Sequence, residues 1–267
     1  MALQGSSWIC GCTRRMKRAR SGDNDESGKR PYVKFDRITF KDDIAIKCFQ
    51  SLPAYTNELD MLRKVSACAY VVSVKDANEE NMTLVLERYP SDLISYLLSG
   101  EPLTRDEMRP LFHDMLASLT FCHNLDIVHN DIKPENILLT FNDKGRISKA
   151  TLCDFEHASV LKCDETKRAF SGTYVYAAPE KLKGELFGFS SDVWSCGVCF
   201  FVSVEKQMPF DIDDDGLPDL ECEPRDWDSL WQAYDGTYLK LTQACLRKTP
   251  SDRALARDLL TEADSIT

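Results

Sequence analysis

Apolar positions along this chain change rhythm about a third of the way in. Early on they come as short runs separated by polar residues. Tyr32, Val33 and Phe35 predict one short strand, and Ile38, Thr39 and Phe40 a second extended piece. Residues 44–49 predict a further strand with Lys47 near its middle. Tyr55, Leu59, Leu62 and Val65 then recur at helical spacing, which predicts a helix from about Pro53. Residues 71–74 and 83–87 predict a hairpin joined by the polar stretch 75–81. Beyond Tyr89 the spacing becomes largely helical. Thr104 is placed to cap a helix carrying Leu111, Met115, Leu119 and Cys122 on one side. Ser190 or Ser191 caps another, with Val193, Gly197, Phe200, Phe201 and Val204. Strands first and helices after predict an α+β architecture of two lobes, residues 31–88 and 89–267, with no internal repeat.

Composition narrows the classes without choosing among them. Apolar residues make up 43% and charged residues 28%, as in an ordinary globular protein. A formal charge of −10 argues against general nucleic-acid binding. No uncharged apolar run is long enough to span a membrane, and the start of the chain has no secretory-signal pattern. Residues 1–30 read as a disordered tail: Arg14, Arg15, Lys17, Arg18 and Arg20, then acidic Asp23, Asp25 and Glu26. Ala2 stands where a myristoylation signal needs glycine. The eleven cysteines follow no framework, which predicts reduced thiols in the cytoplasm or nucleus. Cys10 with Cys12, and Cys196 with Cys199, lack the four convergent ligands of a zinc site, so no zinc is expected.

The chemistry is concentrated elsewhere. Residues 125–128 predict a strand feeding the loop His129-Asn130-Asp131-Ile132-Lys133-Pro134-Glu135-Asn136. That loop holds a carboxylate, an ammonium and an amide. A second apolar run, residues 150–153, delivers Asp154-Phe155-Glu156. Phosphoryl transfer from a nucleotide needs a carboxylate to accept a hydroxyl proton and oxygen ligands to hold magnesium. A single lysine in a strand, such as Lys47, is by itself an ordinary solvated residue, and an isolated Asp-Phe carries no information.

Together these residues resemble the catalytic-loop and metal-loop signatures of the eukaryotic protein kinases. Gly172-Thr173-Tyr174-Val175-Tyr176-Ala177-Ala178-Pro179-Glu180 resembles the end of a serine/threonine kinase activation loop. Ser191-Asp192-Val193-Trp194-Ser195-Cys196-Gly197 resembles the helix that anchors the catalytic loop, and Leu84-Val85-Leu86-Glu87-Arg88-Tyr89 the strand and hinge beside adenine. The resemblance runs from about Val33 to the end. It implies a two-lobed protein kinase fold, ATP and Mg2+ as cofactors, and proteins bearing Ser or Thr as substrates. It implies Asp131 as the base, Lys133 as a neutraliser of phosphate charge, and Asn136 and Asp154 as magnesium ligands. Lys47 would contact the nucleotide phosphates, steadied by Glu58. Glu87 and Tyr89 would hold adenine through the hinge backbone, with Leu86 as gatekeeper. Ala45 and Leu138 would flank the base, and Asp92 would meet the ribose. Gly28 and Val33 would belong to the glycine-rich loop and its following strand. Glu180 would pair with Arg253, and Asp192 would bond the catalytic-loop backbone. Lys133-Pro134 favours the serine/threonine class.

The chain also departs from that family. Residues 26–33 stand where the glycine-rich loop belongs and keep only Gly28, so Lys29 or Arg30 is expected to compensate by charge. Glu156 replaces the glycine after Asp-Phe and brings a third carboxylate towards the metal. Asn130 replaces the arginine that grips a phosphorylated activation loop, which predicts activity without that phosphorylation. The short first lobe is similar to kinases encoded by large DNA viruses, herpesviruses included. Two other readings stand beside the enzyme. A pseudokinase scaffold is favoured by the depleted glycine loop and Glu156, whereas retention of Lys47, Asp131, Lys133, Asn136 and Asp154 favours catalysis. A small-molecule kinase can share the His-x-Asp loop but is not expected to carry Ala178-Pro179-Glu180. The acidic stretch from Asp211 to Glu223 reads as an exposed loop, with docking of basic substrates as its functional alternative.

Overall fold

The computed structural model describes residues 37–100, 103–161, 172–213, 217–219, 231 and 236–266. The expected tail, the strand around Tyr32 and Phe35, and the segment with Gly28, Lys29, Arg30 and Val33 lie outside the described residues. So does most of the acidic stretch, although Asp211, Asp213 and Asp219 are described and exposed.

Strands β1 (Arg37–Lys41) and β2 (Ile44–Cys48) form a tight hairpin that pairs Phe40 with Ala45. β2 alternates as a half-buried strand should, turning Ala45 and Lys47 inward. The sheet is antiparallel in the order β1-β2-β4-β3, with β3 (Val74–Asn78) at one edge and β4 (Thr83–Glu87) inside. The hairpin expected from residues 71–74 is therefore shifted. Val71 bridges to Leu152, and the Val72 N–H donates to the Leu152 carbonyl at 3.0 Å, so these valines dock on the other lobe. The polar run after them then pairs with β4, which an edge strand with solvent on its outer side tolerates. Helix α1 (Leu52–Lys64) starts where Ser51 Oγ accepts the Ala54 N–H, and buries Tyr55, Glu58, Leu59, Met61 and Leu62.

Below lie short β5 (Ser91–Asp92), α2 (Leu93–Leu98) and the long α3 (Arg105–Asn124). Thr104 opens α3 as expected: the Glu107 carboxylate reaches back to accept its N–H at 2.9 Å. Leu111, Met115, Leu119 and Cys122 form the fully buried stripe of α3. Strand β6 (Ile127–Val128) pairs β9 (Ser159–Val160), and β7 (Ile137–Phe141) pairs both β5 and β8 (Ile147–Leu152). β6 is shorter than expected because Leu125 ends α3 and lies exposed. After α4 (Pro179–Leu182) comes α5 (Phe189–Glu205), which begins at Gly188 rather than at a serine; Ser191 Oγ instead donates to the Gly188 carbonyl. Residues 191–204 of α5 are all buried, so it serves as the spine of this lobe. Helices α6 (Gly236–Cys245) and α7 (Ala256–Asp264) complete it. Gly197 permits α5 to approach α6, since a Cβ there would lie 2.4 Å from Cys245 Cβ. No helix among the described residues is long and apolar enough to cross a membrane.

Candidate active site

The loop after β6 is shaped by a carboxylate from the buried helix. Asp192 accepts the backbone N–H of His129 at 2.7 Å and of Asn130 at 2.9 Å, and its Oδ2 lies 3.2 Å from His123 Nε2. Asn130 adopts φ 70°, a left-handed geometry that asparagine tolerates better than most residues. Its amide donates to the His157 carbonyl at 3.0 Å and Ser159 Oγ at 3.1 Å, while its own carbonyl accepts from Lys181 Nζ at 2.9 Å. Gly172 passes over that carbonyl so closely that a Cβ would lie 2.4 Å from it. Asn130 thus ties the loop to the segments that follow β8 and precede α4.

This frame presents Asp131 to a small polar cluster. Lys133 Nζ donates to Asp131 Oδ2 at 2.6 Å and to Thr173 Oγ1 at 3.1 Å, and Thr173 Oγ1 donates to Asp131 Oδ1 at 2.9 Å. Burial would raise the Asp131 carboxyl, but the Lys133 charge and these hydrogen bonds hold it below its ordinary value. It is therefore an anion able to accept a proton. Asn136 spends its amide nitrogen on the Asp131 carbonyl at 2.8 Å, which leaves the amide oxygen as its remaining donor atom for a cation.

Strand β2 brings Lys47 to the same cleft. Its Nζ lies 2.5 Å from Glu58 Oε2 on α1 and 2.8 Å from Asp154 Oδ1 after β8. Burial would lower the Lys47 ammonium, yet the Asp154 and Glu58 carboxylates outweigh it and keep it charged. Burial likewise acts to raise Asp154, but Lys47 draws it down to about 2. Phe155 is fully buried against His129, with ring centres 4.7 Å apart. Asn57, next to Glu58, donates to the carbonyls of Glu156 at 2.9 Å and Ala158 at 3.0 Å.

Between the lobes is a cavity of about 700 Å3, large enough for a nucleotide. Ala45 and Leu138 both line it, with Leu86 and Glu87 of β4 and Tyr89 just beyond that strand. Asp92 sits at the rim but already caps α2, accepting the Ser95 N–H at 2.7 Å. Lys47, Glu58, Lys133, Asn136 and Asp154 line the inner end, so the cleft gathers these expected site residues. Gly28 and Val33 lie outside the described residues; Ile38 and Phe40 of β1 form the described wall on that side. Reading by sequence passed over Ile38, Phe40, Thr173, Asn57 and Lys181. Only Thr173 had a local signal, its place beside Gly172 in the activation-segment motif. The hard oxygen donors Asp154 and Asn136, beside the Lys47 ammonium, suit a magnesium-bound polyphosphate.

This fold and cleft are those of a protein kinase. The chain belongs to the protein kinase domain family, which matches residues 38–263. It is similar to the SNF1-like protein kinase ssp2 of Schizosaccharomyces pombe, 33% identical over 141 residues, which is 52% of this chain and 23% of that protein. A carbon catabolite-derepressing protein kinase of Secale cereale is 37% identical over 130 residues, 48% of this chain and 24% of its own length. The serine/threonine-protein kinase dkf-2 of Caenorhabditis briggsae is 36% identical over 138 residues, 51% of this chain and 11% of its own length. The chain thus spans under a quarter of these relatives' length. They are fungal, plant and animal, and lend no support to a viral source.

Proposed function

We propose that this chain is a serine/threonine protein kinase that transfers the γ-phosphoryl group of ATP to protein hydroxyls. The observation that carries the reading is a pair of polar clusters: Lys47 bound to both Glu58 and Asp154, and Asp131 hydrogen-bonded to Thr173 and to Lys133, which lines the same cavity as Lys47. The serine/threonine class rests on Lys133-Pro134 and on the relatives named above.

In this reading ATP lies in the cavity, with adenine against Ala45, Leu86 and Leu138 and the hinge backbone at Glu87 and Tyr89. Lys47 holds the phosphates, and Glu58 holds Lys47 in register. Asn136 and Asp154 would hold magnesium, which supplies positive charge against the phosphate oxygens. Asp131 orients the substrate hydroxyl and takes its proton as the new O–P bond forms and the bond from the γ-phosphorus to the leaving oxygen of ADP breaks. Lys133 offsets the charge on the phosphoryl group in flight. Asn130 fastens the loop through His157, Ser159 and Lys181, which supports activity without a phosphorylated activation loop. The seven free cysteines among the described residues support an intracellular location in the cytoplasm or nucleus.

The test is transfer from γ-labelled ATP and magnesium to a basic protein substrate and to the chain itself, followed by identification of the phosphorylated amino acid. Label on serine or threonine is expected. Binding of ATP with no transfer to any hydroxyl would replace the enzyme with a scaffold.

A further inference from the structure

Glu156 follows Asp154-Phe155 at a position where the protein kinase pattern has glycine, and its side chain faces two other acids. One carboxylate oxygen from each of Glu58, Asp154 and Glu156 lies within 4.8 Å of the other two. Like charges at that range repel, the more so where burial limits screening. Lys47 supplies one positive charge to the group, bound to Glu58 Oε2 and Asp154 Oδ1. The second oxygen of Glu58 is a separate observation. Glu58 is fully buried, and its Oε1 has no hydrogen-bond partner. A buried carboxylate oxygen left unpaired is costly, and a cation beside it would satisfy it and relieve the repulsion together.

The backbone is braced for that purpose. Asn57, beside Glu58 on α1, donates to the Glu156 carbonyl at 2.9 Å and the Ala158 carbonyl at 3.0 Å. The helix that carries one acid therefore fixes the chain that carries another. Carboxylate oxygens are the ligands that hard divalent cations take. Three oxygens within 4.8 Å of one another can all reach one divalent ion.

We propose that Glu58, Asp154 and Glu156 bind a divalent cation in the absence of nucleotide, with Glu156 the residue that creates the site. It is distinct from the cation held with Asn136 in the kinase reading, because Asn136 takes no part and no phosphate is needed. Occupancy ties α1 to the segment after β8.

The experiment is a titration of the nucleotide-free chain with Mn2+, following the loss of the free-ion resonance signal. Wild type should show one saturable site, displaced by Ca2+. Glu156→Gln, nearly the same in shape, should weaken that site by at least about tenfold. Asn136→Ala should leave it in place. Glu156→Gly, the residue of the family pattern, provides a second variant if the glutamine form does not fold. No saturable site in wild type, unchanged affinity in the Glu156 variants, or equal loss in Asn136→Ala would overturn the proposal. The readout needs no turnover, so it stands or falls separately from phosphate transfer.

Discussion

Asp131, behind the cavity wall formed by Lys133 and Asn136, and Lys47, which lines the cavity, are held in place by different means. Asp131 is placed through the backbone: Asp192 fixes the two N–H groups before it, and Asp192 rides on a helix whose residues 191–204 are buried. Lys47 is placed through side-chain charge, by Glu58 on a separate helix and Asp154 from the other lobe. The helical lobe is thus a fixed frame with a deep core. Among the described residues the strand lobe has a four-stranded sheet, whose β1 leaves Ile38 and Phe40 exposed beside the cavity. Substitutions in the frame should lower stability and activity together, whereas those on the Lys47 side should reduce activity with little loss of stability.

The largest effect belongs to the buried pair of Arg253 and Glu180, joined at 2.7 and 3.2 Å. Removing one partner strands a buried charge, so Glu180→Ala should lose about 3–5 kcal/mol in denaturant unfolding. Asp192→Asn comes next. Burial would raise this carboxyl, but His123, His129 and the backbone donor hold it below its ordinary value. Its stabilisation is therefore complete above the unfolded carboxyl, near pH ~4, and drains as pH falls below that. The variant should be less stable at neutral pH and lose part of its acid-side pH dependence. Asn57→Ala removes two hydrogen bonds worth about 0.5–1.5 kcal/mol each, and should raise KM for ATP more than it shifts the melting temperature. An equal fall in stability and activity for Asn57→Ala and Glu180→Ala would erase the distinction between the lobes.

How much the sequence revealed follows the same division. Asp131, Lys133, Asn136, Asp154, Asp192 and the Glu180–Arg253 pair were legible because short motifs carry them. Glu58 was expected as the helix acid although only eleven residues separate it from Lys47, a short spacing for that pair, and the two side chains meet. Asn57 and Lys181 were not, because each donates to a backbone carbonyl far along the chain and any residue supplies a carbonyl. The strand expected at residues 71–74 was displaced because Val71 and Val72 satisfy Leu152 instead. Apolar runs show which residues seek cover but not which lobe provides it.

Catalysis in this cleft is expected without a phosphorylated activation loop. Its most direct test is the initial rate of transfer from labelled ATP after phosphatase treatment, with Asp131→Ala and Asp154→Ala measured beside it. The treated protein should keep its rate, and neither variant should transfer phosphate. A rate lost to the phosphatase, or retained without Asp131, would contradict that expectation.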